Sequence, residues 1–290
     1  MPMSGHLTGA VAAFAAVLVL RRIIKAQSSR SKRIQLTQER VLIVGASSGL
    51  GRALAKQYVA RGAKVCVVAR RNEPLKLRGQ LLQQWDGLDT MHVCAGVSAV
   101  QPVMALTGIK SSTEDPDVAG VQHAIDIVGR ATQGNFFGPL IAAITLIPMM
   151  KRTSASPAIL LVSSIAAVVP APTRAVYAAT KAASLLLFQS LAIEHPQIAF
   201  TCMLPATIEG NFRSSAVDAD PSEQTDETNK KGLKVEYVAT RCAQAVDQGL
   251  RGNVVIPWIP YAIAHHLYYI WPSFIERQAR KKYNFTTWEK

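Results

Sequence analysis

What this chain of 290 residues has little of narrows its function first. Cysteine is scarce: Cys66, Cys94, Cys202 and Cys242 are the only four, and none is spaced as a zinc pair. Three of them sit in apolar, strand-like runs. They read as buried thiols of a reducing compartment, which excludes a disulfide framework. No internal repeat is present, so a solenoid is excluded. Acid is absent from residues 1–38, and residues 1–20 (MPMSGHLTGAVAAFAAVLVL) have no charged side chain at all. Residues 252–275 also lack Asp, Glu, Lys and Arg.

A net charge of +13 ordinarily suggests a nucleic-acid partner, but its distribution argues against one. Between Arg21 and Arg40 seven Lys or Arg stand against one Glu, so six of the thirteen net charges lie in one short stretch. That stretch directly follows the uncharged N-terminus, an order that points to a membrane surface. As a helix, residues 1–20 would be roughly 30 Å long, enough for a bilayer core. The strongly apolar part, Leu7–Leu20, is shorter, and its positive charge follows rather than precedes it. We therefore expect a membrane anchor over 1–20 and a basic linker over 21–38. The positive-inside rule then puts the catalytic bulk in the cytosol, with the endoplasmic reticulum the expected membrane. A cleaved or mitochondrial targeting segment is the alternative.

Half of the chain, 49%, is hydrophobic, enough for one sizeable core, expected over residues 39–260. RVLIVGASSGLG opens it. Val41–Val44 is a short buried strand, Gly45, Gly49 and Gly51 punctuate a turn, Arg52–Arg61 has helical periodicity, and Lys64–Ala69 is a second strand. Strands and helices go on alternating: strands at 91–94, 158–163 and 198–204, helices at 135–150, 177–194 and 237–250. Such alternation predicts an α/β fold of the Rossmann type, a doubly wound parallel sheet with helices on both faces. The polar segment 213–234 reads as a mobile loop. Residues 261–290, aromatic and then basic, fit either an interfacial helix or a buried C-terminal helix.

The GxxxGxG turn carries chemistry. Glycines let backbone approach a ligand and enter a helix whose N-terminus attracts a pyrophosphate, so a dinucleotide site is expected here. The second strand ends in Ala69-Arg70-Arg71, where an acid would hold the 2′-hydroxyl of NAD. Arg70 instead suits the 2′-phosphate of NADP. Further on, YAATK places Tyr177 and Lys181 four residues apart, on one helix face.

With GASSGLG at 45–51, CAG at 94–96, NFFGP at 135–139, LLVSSIA at 160–166 and YAATK at 177–181, the chain resembles the short-chain dehydrogenase/reductase family over roughly 40–260. The resemblance implies hydride transfer between a nicotinamide cofactor, NADP(H) in preference to NAD(H), and a carbonyl or secondary alcohol. Tyr177 is implied as general acid–base. Lys181 would tune it and bind the nicotinamide ribose. Ser164, thirteen residues before Tyr177, would hydrogen-bond the carbonyl oxygen, and Asn135 would hold a water linking Lys181 to solvent. The implied cofactor contacts are Gly45, Ser47, Ser48, Gly49, Leu50, Gly51, Arg70, Ala95, Gly96, Tyr177, Lys181, Pro205 and Thr207. No metal site is expected. The apolar and aromatic ends resemble membrane-associated members that act on steroids, retinoids or long-chain ketones, and the family pattern suggests a homodimer. One departure stands out. Arg71–Thr90 is too short for the usual helix, strand and helix, so the edge strand after Arg70 and the adenine-contacting Asp are expected to be missing. A non-catalytic or impaired dinucleotide-binding protein is the competing expectation.

Overall fold

The computed structural model describes residues 30–68, 74–111, 113–213, 216–219 and 231–286. The expected anchor over 1–20 and the Arg70 contact lie outside these residues. Six strands form one parallel sheet in the order β2-β1-β3-β4-β5-β6: β1 Arg40–Val44, β2 Lys64–Val68, β3 Thr90–Val93, β4 Ala158–Val162, β5 Ala199–Pro205 and β6 Gly252–Ile256. The fully buried strands read as continuous apolar runs because both faces are covered. Alternation divides them: Leu42, Met91, Ile159 and Leu161 face one core, while Val41, Ile43, Leu160 and Met203 face the other.

Helices α1 (Gly49–Ala60) and α6 (Val235–Asp247) cover one face. Helices α2 (Pro74–Trp85), α4 (Gly138–Thr153) and α5 (Ala175–Glu194) cover the other. Gly62, with φ of +85°, ends α1 as the sequence suggested. Among the described residues the missing-strand expectation holds: β2 pairs only with β1, and α2 is the one helix between β2 and β3, on the far side of β1. Val67 is 54% exposed on that edge strand.

Two expectations need correction. The helix expected from Asn135 starts much earlier. Helix α3 (Val118–Thr132) runs through a π-helical turn, Gln133–Phe137, into α4. Asp117 caps α3 by accepting from the Gly120 N–H at 2.7 Å. Gly120 and Gly129 had hidden the helix by weakening its propensity. The 213–234 segment, expected to be a mobile loop, is held at several of its described residues. Its described residues 216–219 are pinned: Val217 N–H donates to the Ser98 carbonyl, and the Asp218 carboxylate accepts from the Val100 and Gln101 N–H groups. The 118–153 run and α5 are long and apolar enough to cross a membrane by length and composition, yet each packs on the sheet.

At the amino ends of the strands lies a buried ionic cluster. Glu39, fully buried, accepts from Arg30, Arg61 and Thr90. Arg30, only 1% exposed, also donates to the Ser156 and Asp89 carbonyls. So Arg30, counted with the basic stretch, belongs to the folded domain. Helices α7 (Trp258–Ile270) and α8 (Pro272–Tyr283) close the chain.

Candidate active site

At the carboxyl ends of the strands the glycine turn is shaped by close contact. Gly45 has φ of +88°, and a Cβ there would stand 2.5 Å from the Ala95 backbone. A Cβ on Gly51 would fall 2.2 Å from the Gly45 carbonyl oxygen. Gly49, with φ of +52°, meets nothing within 4 Å. Ser48 is the N-cap of α1 but makes no side-chain capping bond, so the first N–H groups of the helix are left for another acceptor. Ser47 and Ser48 are exposed beside them and Leu50 is half-buried. This open, amide-lined cradle fits a dinucleotide pyrophosphate.

Next to it, Gly96 leaves little room for a side chain: a Cβ would lie 3.0 Å from both Asn135 Oδ1 and Lys181 Nζ. Asn135 is fully buried in the π turn, the kind of irregularity common at functional sites. Its Oδ1 accepts from the Val97 N–H at 2.8 Å, and its Nδ2 donates to the Val97 carbonyl and Thr180 Oγ1, both at 3.0 Å. Its side chain is thus committed to holding the strand-to-loop backbone against α5.

Tyr177 and Lys181 project from the first turns of α5. Ser163 and Ser164 diverge at the end of β4, as alternation predicts. The Ser163 hydroxyl donates to the Lys181 carbonyl at 3.4 Å. Ser164 Oγ accepts from the Ala166 N–H at 3.2 Å and is near enough to the Tyr177 phenol to lower its pKa. Burial pushes the Tyr177 phenol up; Ser164 opposes that most, followed by the charge of Arg174, with Arg213 also lowering it. Lys181, 3% exposed, donates from Nζ to the Val162 carbonyl at 3.0 Å. Burial pushes its amine down to about 8, against a smaller upward influence from Cys94. The Cys94 thiol is itself pushed up to about 12 by burial. Ala95, Pro205 and Thr207 lie at the same end of the sheet, with the Thr207 carbonyl accepting from the Leu233 N–H.

Sequence reasoning missed Arg174, immediately before α5. Its Nη1 donates to Ser98 Oγ and the Ala99 carbonyl, both at 2.9 Å, and its Cζ is 5.9 Å from the Tyr177 ring centroid. Phe212 packs edge-on to Tyr177 at 6.0 Å, and Tyr283 of α8 comes near enough to act on the same phenol. No motif marks these residues. Arg174 is set by the start of α5, while Phe212 and Tyr283 follow from where the loop after β5 and the last helix meet it.

Comparison with known proteins bears on the family and the fold. A family model described as short chain dehydrogenase matches residues 39–221. The chain belongs to the short-chain dehydrogenase family. It is an NAD(P)-dependent oxidoreductase acting on CH–OH and C=O groups. Among its relatives is 11-beta-hydroxysteroid dehydrogenase-like 4A of Arabidopsis thaliana, 28% identical over 235 residues, covering 74% of this chain and 75% of that one. Dehydrogenase/reductase SDR family member 7B of Bos taurus is 29% identical over 267 residues, covering 83% and 82%. A short chain dehydrogenase/reductase from Burkholderia phymatum, solved with NAD, shares the fold with a TM-score of 0.63 at 17% identity, covering 84% of this chain and 97% of that one.

Proposed function

We propose that this short-chain dehydrogenase is a membrane-anchored, NADP-preferring reductase or dehydrogenase of a lipophilic carbonyl or secondary alcohol. The observation that carries the reading is Lys181, buried on the same face of α5 as Tyr177 and donating to the Val162 carbonyl at 3.0 Å, at the mouth of an open glycine cradle, with Ser164 near enough to act on the Tyr177 phenol. When bound, the dinucleotide supplies or accepts the hydride. Tyr177 gives its phenolic proton to the substrate oxygen as negative charge develops there, and takes it back in the reverse direction. Ser164 donates a hydrogen bond to the same oxygen. Lys181, beneath Gly96, is placed to bind the nicotinamide ribose and to return a proton toward Tyr177. With the Asn135 side chain committed to Val97 and Thr180, any water relay there uses its main-chain carbonyl.

Arg70 supports NADP as the preferred form, because a guanidinium suits a 2′-phosphate. Residues 1–20 support the anchor. The C-terminal helices support a second, interfacial contact: Trp258, Ile259, Ile263, Tyr269, Ile270 and Trp271 are exposed, and basic residues of α8 follow. Of the two expectations for this end, the buried-helix one fits less well, since Ala262 alone of α7 is buried. An endoplasmic-reticulum membrane with the domain facing the cytosol is the arrangement we favour. Exposed apolar side chains along α3 to α5, among them Val118, Ile125, Ile144, Leu186 and Ile193, suit a homodimer through those helices.

Full-length protein in detergent, titrated with NADPH and NADH, tests the reading before any substrate is known. NADPH is expected to bind at least about tenfold tighter, the worth of one charge-assisted hydrogen bond, and Arg70→Ala should narrow the gap. Equal affinities would remove the NADP preference. No binding of either would favour the competing expectation that the open edge beyond β2 leaves the cofactor site impaired.

A further inference from the structure

The mouth of the Tyr177 site carries more positive charge than reduction of a neutral ketone needs. Arg174 is 7% exposed, yet it forms no ion pair among the described residues. Only its Nη1 is engaged, and by two neutral oxygens, Ser98 Oγ and the Ala99 carbonyl. Among the described residues its Nε and Nη2 make no hydrogen bond, and neither is sealed inside the protein. Asp218 is near enough to favour its charge, but that carboxylate is taken by the Val100 and Gln101 N–H groups and is not paired with Arg174. A buried guanidinium without an anion is costly, and native structures rarely keep one without reason.

Arg213, exposed on the loop after β5, adds its charge to the same place. It acts on both Arg174 and the Tyr177 phenol, and it follows Phe212, whose ring packs against Tyr177. The Arg174 guanidinium, 5.9 Å from the Tyr177 ring centroid, and the Phe212 ring at 6.0 Å thus flank Tyr177 from two separate segments, with Arg213 next to Phe212 in the chain. An arginine fork suits carboxylate or phosphate oxygens.

We propose that Arg174 and Arg213 form an anion subsite, and that the substrate is a lipophilic carbonyl compound bearing a carboxylate or phosphate near the reacting carbon. This rests on the reading of Tyr177 and Ser164 as the reaction centre. It separates an anionic lipid from a neutral steroid ketone, which would bring no anion to either arginine.

Binding and turnover test it separately. In full-length protein saturated with NADPH, a long-chain alkyl carboxylate and the matching alkyl phosphate are titrated against the alcohol of equal length, read by tryptophan fluorescence. The anions should bind about 10- to 100-fold tighter than the alcohol, the range of one or two charged hydrogen bonds. The preferred anion identifies the source. Arg213→Ala, an exposed change that the fold should tolerate, should reduce the anion-to-alcohol ratio, and Arg174→Met should reduce it further. In turnover, a keto acid or keto phosphate should exceed its methyl ester in kcat/KM by a similar factor. Equal binding of anion and alcohol, or a ratio unmoved by both substitutions, overturns the proposal. Neutral ketones reduced with no anion preference would sink the subsite and leave the reaction centre standing. An arginine-dependent anion preference without turnover of any carbonyl would do the reverse.

Discussion

Arg30 gives the sharpest stability test, because sequence composition puts it in a solvated basic linker and the fold puts it in the core. Arg30→Met keeps much of the apolar stem and removes the guanidinium. Glu39, fully buried, would keep Arg61 and Thr90 but lose its more buried cationic partner. The Ser156 and Asp89 carbonyls would lose a donor each. Breaking a buried ion pair from one side costs about 3–5 kcal/mol. For a domain of this size that is a fall in Tm of roughly 10 °C. Urea unfolding and a thermal melt of the full-length protein in detergent would measure it. Arg30→Met with Glu39→Gln should recover part of the loss, since the second change removes the stranded charge. Removing residues 1–28 should leave stability unchanged, whereas removing 1–33 should cost as much as Arg30→Met. A loss under about 1 kcal/mol, the scale of an exposed ion pair, would refute the reasoning and return Arg30 to the linker.

Other substitutions probe the site from different sides. Asn135→Ala deletes three buried hydrogen bonds and should destabilise by about 3 kcal/mol at roughly 1 kcal/mol each, measured by urea unfolding; a neutral result would mean Val97 is held by something else. Gly45→Ala should weaken NADPH binding beyond detection by fluorescence titration, because its Cβ would meet the Ala95 backbone at 2.5 Å; wild-type affinity would contradict the cradle. Lys181→Met tests the amine lowered to about 8 from an ordinary 10.5. A lowered lysine penalises the fold below about pH 8 and stops doing so as pH rises toward the unfolded value. Without added cofactor, wild type should therefore gain stability relative to Lys181→Met between about pH 8 and 10.5, by at most about 3 kcal/mol. A pH-independent difference between the two proteins would contradict that.

The parts of this molecule legible in its sequence are those where local chemistry and fold agree. Gly45, Gly49 and Gly51 announce a ligand-facing turn because each serves a backbone need: close packing, a positive φ or open space. Ser164, Tyr177 and Lys181 fall together because strand alternation and helix periodicity fix their directions. The shortened sheet was legible by counting, since the residues between β2 and β3 allow only α2. Elsewhere local signals misled. Glycines within α3 disguised a helix that tertiary packing sustains. Arg30 looked like its basic neighbours, and only its burial against Glu39 distinguishes it. Arg174 and Arg213 belong to no motif at all. Arg174 stands one helical turn before Tyr177, whereas Phe212 and Arg213 come from the loop after β5, which no spacing rule along the chain ties to the site.

The central claim is that the Tyr177 phenol transfers the proton while the glycine cradle holds the dinucleotide. Full-length Tyr177→Phe should be compared with wild type for NADPH affinity and for NADPH oxidation by a lipophilic carbonyl substrate. Removing a general acid should lower turnover about 10²- to 10⁴-fold while leaving NADPH affinity within about threefold. Full turnover by Tyr177→Phe would contradict the account.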